Sequence, residues 1–272
     1  MNFIKNIFGP KIIAGNQIPI SENELNLSIL PNRESLDQIE NWIDEEAFQK
    51  SWFKYGVPDF IKAEINKKIN NRPTYTDLML AISRKYFQKL NYLEIGVSVG
   101  KNFFQLLNAH IESDFTGFDI ENINPVLERK MELTAKEEWE TPPGSIKKSP
   151  SYLNAYSYKG NAVKYLCADV WDENSWSKLE GNKYNFIFSD ALHSPEAILF
   201  EFRMLVKYKL LDKYFIIVWD DLVGKMKNSF YSIIRKYNEA YSIKEIYLLE
   251  INGWVGEHEK AHSVGIISSF DF

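Results

Sequence analysis

Five short apolar runs constrain this chain more than any other feature: Tyr92–Ile95, Phe115–Asp119, Ala162–Cys167, Asn185–Ser189 and Tyr214–Trp219. Stretches of helical spacing at Lys101–Ile111, Trp176–Leu179 and Pro195–Leu210 separate most of them. Strands that are apolar along their whole length need cover on both faces. Parallel neighbours also need a crossover between them, so the pattern predicts a mostly parallel sheet layered by helices. After the fifth run, Lys225–Ala240 reads as a further helix. Ile243–Ile251 and Ser263–Ser269 then read as two strands joined by a polar segment containing Gly253 and Gly256. With no helix between them they are most simply an antiparallel hairpin. The expected class is α/β, with a seven-stranded, mostly parallel sheet closed by that C-terminal hairpin.

Upstream the chain is different. Residues 1–33 read as irregular, punctuated by Pro10, Pro19 and Pro31. Ser35–Tyr55 carries Leu36, Ile39, Ile43, Ala47 and Phe48 on one helical stripe, and a second helix is expected around Phe60–Ile69. Thr74 is placed to cap a helix over Tyr75–Leu90. The expected division is an N-terminal extension and helical cap over 1–73 and a main domain over 74–272. Between the second and third runs lies an insertion, 121–160, longer than a usual crossover. It contains a charged, helix-like piece (Val126–Trp139) followed by Pro142, Pro143, Gly144 and Pro150. A movable lid, an inert surface insertion and a dimerisation arm are all compatible with it.

Composition narrows the function classes. The 272 residues carry a formal net charge of -5 and no long basic block, which argues against a nucleic-acid partner. Cys167 is the single cysteine, so neither an internal disulfide nor a cysteine-based zinc site can form. No apolar run approaches the ~20 residues of a membrane-spanning helix, and Met1–Gly15 lacks the marks of a secretory signal. A cytoplasmic protein acting on a small molecule, with room for a homo-oligomer, is the expectation.

The first run leads into Leu93-Glu94-Ile95-Gly96-Val97-Ser98-Val99-Gly100, and Lys101 opens a helix. In a parallel sheet the ligand crevice lies beside this first strand-to-helix turn. Gly96 would permit the tight turn, and Gly100 a close approach of helix to strand. A dinucleotide fingerprint needs Gly-x-Gly-x-x-Gly, and here the middle glycine is absent. Glu94 would also repel a pyrophosphate, whereas it suits a cationic cofactor without phosphates. Asp119, ending the second run, can accept two ribose hydroxyls, and Asp169, ending the third, can receive an adenine amino group. Each could instead be an ordinary cap. Three acidic residues at successive strand ends make a stronger constellation than any one of them.

The segments Tyr92–Gly100, Thr116–Ile120, Leu166–Val170 and Tyr184–Asp190 resemble the ordered motifs of class I (Rossmann-like) S-adenosylmethionine-dependent methyltransferases. That resemblance covers roughly residues 74–270 and implies S-adenosylmethionine as cofactor. It places Glu94, Gly96 and Gly100 at the methionine end, Asp119 with Ile120 at the ribose, and Asp169 with Val170 at the adenine. Tyr75 and Asp190 join the cofactor set; Asp190 is also expected in the catalytic pair with His193, and with no metal present it could instead orient the methionine ammonium.

The fourth run ends in Asp190-Ala-Leu-His193 and the fifth in Asp220-Asp221. In the methyltransferase strand order these strands are neighbours, so three carboxylates would converge and repel one another without a compensating charge. The pattern resembles metal-dependent small-molecule O-methyltransferases of the catechol and macrolide-sugar type. It implies Mg²⁺ or Ca²⁺ on Asp190, Asp220 and Asp221, with His193 standing where the catechol type has a lysine. On that reading the ion lowers the pKa of an acceptor hydroxyl and His193 takes its proton. The acceptor would be a sugar or a natural-product intermediate, in a pocket built by residues 35–69, Tyr75 and the insertion. His258 and His262 read as surface residues, and His110 as packing near a helix end. Asp220-Asp221 as a simple turn, a metal-independent N- or O-methyltransferase, and a catalytically silent scaffold that binds a partner protein stay open.

Overall fold

The computed structural model describes residues 11–14, 19–253 and 262–272. A single ten-stranded sheet runs through it. Its five central strands are β2 (Asn91–Ile95), β3 (Asp114–Asp119), β6 (Asn161–Cys167), β7 (Tyr184–Ser189) and β8 (Leu211–Trp219). These are mutually parallel in the order β8-β7-β2-β3-β6, so all five apolar runs form the strands expected of them. Beyond β8, β10 (His262–Ser268) runs antiparallel both to β8 and to β9 (Glu245–Ile251), giving the expected closing hairpin. A short β1 (Lys11–Ala14) pairs in parallel with β9 at one edge.

Side chains alternate between two cores. Tyr92, Phe186, Phe188 and Val218 face one apolar cluster, which α4 (Tyr75–Tyr86) and α5 (Lys101–Ala109) cover with Met79, Phe103 and Phe104. Leu93, Ile95, Ile187 and Trp219 face the other, covered by α7 (Glu173–Ser177), α8 (Pro195–Lys207) and α9 (Lys225–Tyr241) through Trp176, Phe202 and Phe230. Each such buried large side chain contributes about 1.5–3 kcal/mol. Among the described residues no helix is long and apolar enough to cross a membrane.

The insertion departs from expectation. Its helix-like piece is a strand, β4 (Glu132–Trp139), which pairs antiparallel with β5 (Ser151–Tyr158), and β5 pairs antiparallel with β6. The sheet therefore gains a hairpin at its β6 edge, which with β1 makes ten strands rather than seven. Seven of the eight β4 residues are exposed and the last is half-buried, so strand pairing leaves no period-2 burial signal to read. A short α6 (Pro125–Glu128) precedes it.

The N-terminal region differs too. Residues 22–36, expected to be mostly irregular, form α1 (Glu22–Leu36), started by a reciprocal Ser21–Glu24 capping box and carrying Pro31 inside it. The expected 35–55 helix is broken: α1 ends at Leu36 and α2 (Glu45–Lys50) restarts on an Asp44 cap. Only Asp59–Lys62, α3, is helical in the following stretch. Thr74 caps α4 as expected, in a capping box with Asp77. Buried Asp77 also accepts from both terminal nitrogens of Arg33, at 2.9 and 2.7 Å, fastening α1 to α4.

Candidate active site

The sheet reverses direction of growth at β2: the chain proceeds to β3 and β6 on one side and to β7 and β8 on the other. Loops at the carboxyl ends of strands diverge at such a point and leave a crevice. There the structure has a cavity of about 620 Å³. Of the residues singled out from sequence, Gly96, Asp119, Ile120, Asp169, Val170, Asp190, His193, Asp220 and Asp221 line it.

Gly96 adopts φ +87°, and a Cβ there would stand 2.5 Å from Ala191 Cα and closer still to the Asp190 carbonyl oxygen. The first strand-to-helix loop and the end of β7 thus touch backbone to backbone. Asp119 is fixed by its main-chain neighbours: Val97 and Ser98 N–H groups donate to Oδ2 at 2.7 and 2.8 Å, and Glu121 N–H donates to Oδ1 at 2.8 Å. Burial pushes its pKa up in spite of these donors. Asp169 accepts from Trp171 N–H at 3.0 Å and from Ser145 Oγ at 2.7 Å. Ser145 belongs to the insertion, whose Ile146 reaches the cavity wall. Next to it, buried Lys147 donates to Ile120 O and Ser149 Oγ and lies 3.1 Å from Cys167 Sγ, holding this loop beside the end of β3.

Three other residues lie behind the wall rather than on it. Glu94 is buried, accepting from Tyr92 Oη at 2.7 Å and Asn102 Nδ2 at 2.9 Å, and burial pushes its carboxyl up to about 8. Gly100 starts α5 in a left-handed conformation and packs beneath Leu127 of α6, where a Cβ would sit 2.7 Å from Leu127 Cδ2. Its constraint comes from α6 rather than from helix–strand contact. Tyr75 is fully buried between Phe188 and His262, with ring centroids 5.2 and 5.7 Å away.

At the β7 and β8 end the carboxylates interleave with imidazoles. His193 Nε2 is 2.9 Å from Asp190 Oδ1, and its Nδ1 is 3.4 Å from Asp221 Oδ2. The hydrogen bond to Asp190 raises His193 to about 9. Burial, followed by repulsion from Asp220, raises Asp190 to about 6. His262, expected at the surface, is instead mostly buried in this cluster, with Nδ1 2.6 Å from Asp220 Oδ2 and 3.4 Å from Asp221 Oδ1. The antiparallel β10 brings it there: Gly265 pairs with Trp219 at the end of β8, and the strand continues past that pair, with Leu222 N–H donating to Ser263 O, to set His262 over Asp220. His258 lies outside the described residues.

The donor set open to a metal ion differs from the expected one. Ligand atoms of Asp220, Asp221 and His262 lie within 4.8 Å of one another, whereas Asp190 is engaged by His193. Asp220 Oδ1 is buried and has no hydrogen-bond partner among the described residues, so the cluster can accept one more positive group. With an imidazole among the donors, Mn²⁺ or Zn²⁺ suits this set better than Mg²⁺ or Ca²⁺.

Sequence reasoning gave no individual residue of the wall formed by Phe53, Tyr55, Val57, Pro58, Phe60 and Ile61. This segment turns through Lys54, Tyr55 and Gly56, all at positive φ (48°, 55° and 66°). Strain of this kind persists only where surroundings hold it. Here Ser51 Oγ and Phe53 N–H donate to the Glu121 carboxylate, and Ser98 Oγ donates to Tyr55 O. The strap is therefore tied to the residues that flank Asp119.

In fold the chain resembles the class I S-adenosylmethionine-dependent methyltransferases. Its central strand order and antiparallel β10 are those of their sheet. No family model matches the sequence, and no curated protein does. Among solved structures, the O-methyltransferase TomG from Streptomyces achromogenes, in complex with SAM, is 12% identical with a TM-score of 0.49. Cofactor-bound Rv0187 from MTB is 11% identical with a TM-score of 0.47, and SAH-bound PaMTH1 from Podospora anserina is 13% identical with a TM-score of 0.41. Each likeness covers 93% of this chain and 98% of the other.

Proposed function

We propose that the chain is an S-adenosylmethionine-dependent methyltransferase acting on a hydroxyl group of a small molecule. The observation that carries this reading is the cavity at the sheet's switch point, with Asp119 and Asp169 on one side and the Asp190–His193 pair on the other.

The cofactor supplies a methyl group on a cationic sulfonium. Asp119, held rigid by three backbone N–H groups, presents its remaining lone pairs to the ribose hydroxyls. Asp169 and Val170 face the adenine, and the strap from Phe53 to Ile61 excludes water. The acceptor hydroxyl lies near Asp190 and His193, where in-line attack needs positioning more than covalent help. To take the hydroxyl proton, His193 must first be neutral. A neighbouring cation favours that form by opposing the carboxylates that raise its pKa.

A divalent ion on Asp220, Asp221 and His262 is a second reading, favoured by the bare Oδ1 of Asp220. It would lower the pKa of the acceptor hydroxyl.

Calorimetric titration with S-adenosylhomocysteine tests the cofactor assignment. Micromolar binding is expected, and no binding at any temperature would overturn it. Activity insensitive to EDTA would remove the metal reading and leave the rest standing.

A further inference from the structure

Six carboxylates line the cavity: Asp119, Glu121, Asp169, Asp190, Asp220 and Asp221. Among the described residues no lysine or arginine lines it, and the two histidines are its only basic side chains. Glu121 is occupied by the strap, and Asp119 and Asp169 by their loop donors. At the far end Asp221 is different. It is about a third exposed on the cavity wall, and its nearest cationic partners are two histidine nitrogens at 3.4 Å. Beside it, Asp220 Oδ1 is buried without a partner. The strap and insertion side of the cavity is apolar and aromatic, with Phe60 79% exposed and Phe53 and Ile146 partly open to solvent, and Val223 adds an exposed apolar side chain beside Asp221. The Asp220–Asp221 end disfavours phosphate, sulfate and carboxylate groups on an acceptor. It favours a protonated amine on a flat apolar body, which aromatic faces also attract.

We propose that the acceptor is a hydroxylated, largely apolar molecule bearing a protonated amine, held by Asp221 and the unpartnered oxygen of Asp220. The inference rests on the methyltransferase reading and narrows the acceptor from sugars and natural products at large to cationic ones. It also competes with the metal reading, because the same two carboxylates cannot serve an ammonium group and a divalent ion together.

The test uses matched triplets of phenolic and alicyclic alcohols that differ in one substituent: a primary amine, a methyl group or a carboxylate. Each is incubated with the full chain and S-adenosylmethionine, and release of S-adenosylhomocysteine is measured in EDTA and in Mn²⁺. The expected ranking of kcat/KM is amine over methyl by about tenfold or more, with carboxylates slowest and no requirement for Mn²⁺. Asp221→Asn is expected to lower the amine-to-methyl ratio by about tenfold. The wild-type ranking stands without the variant, should the variant fail to fold. Equal rates across a triplet, a preference for carboxylates, turnover only with Mn²⁺, or no turnover despite S-adenosylhomocysteine binding would each overturn the inference. Failure to bind S-adenosylhomocysteine at all would instead overturn the methyltransferase reading.

Discussion

Gly96 lies flush against the backbone of Asp190, with no room for a side chain between the first strand-to-helix loop and the end of β7. The crevice keeps its shape because these two loops touch there. Gly96→Ala adds a methyl group both at a left-handed φ and inside that contact. It is expected to cost about 1–3 kcal/mol of stability and to weaken S-adenosylhomocysteine binding at least tenfold. Urea denaturation and calorimetry on the same preparation measure both. Unchanged affinity in a folded variant would show that the contact does not shape the site.

Arg33 and Asp77 join α1 to the helix that backs the cavity, and both are buried. Asp77→Ala leaves the buried Arg33 guanidinium without a counter-charge, with only the Asn70 and Arg72 carbonyls as acceptors, so a loss of about 3–5 kcal/mol is expected. Asp77→Ala with Arg33→Met should recover part of it. Urea unfolding of the two variants checks this, and identical stability would mean that the pair is not what fastens the helices.

A buried acid behind the crevice gives a pH signature. Glu201 is held by Ser189 Oγ at 2.5 Å, and burial pushes its carboxyl up to about 8. A folded pKa above the unfolded one means that stability is fully present below about 4.5 and is lost as pH rises through 8. Glu201→Gln cannot ionise, so its stability relative to wild type should rise between pH 4.5 and 8.5. Parallel unfolding curves at both pH values would contradict this assignment.

His193 is protonated at neutral pH in the resting cluster, since Asp190 and Asp221 raise it to about 9. If it takes the acceptor proton, the rate under saturating cofactor should climb from pH 7 to pH 9 as the imidazole loses its own. His193→Gln should lose both the rate and that slope. A wild-type profile flat over this range would assign the proton to another group.

The parallel core was legible because strands buried on both faces read as apolar runs. Asp119, Asp169 and Asp190 could be placed from the runs alone, since each sits where one ends. The β4–β5 hairpin was not legible: β4 is almost wholly exposed and rich in Glu, Lys and Ala, so its composition suggests helix and no burial pattern corrects it. The Ser21–Glu24 capping box was present in the sequence as a helix-start signal, but Pro19 and Pro31 masked it. His262 could have been found. The residues of β10 that precede its pairing with the end of β8 must pass the loop after β8, and that geometry sets His262 against Asp220. The strap at Phe53–Ile61 is held through tertiary ties to Glu121 and Ser98, which no local pattern announces.

Crystals grown with S-adenosylhomocysteine test the central claim most directly. The account predicts the ribose hydroxyls on the Asp119 carboxylate, the adenine against Asp169 and Val170, and the sulfur facing Asp190 and His193. A ligand bound elsewhere, or a cavity that stays closed to it at saturating concentration, would contradict the account.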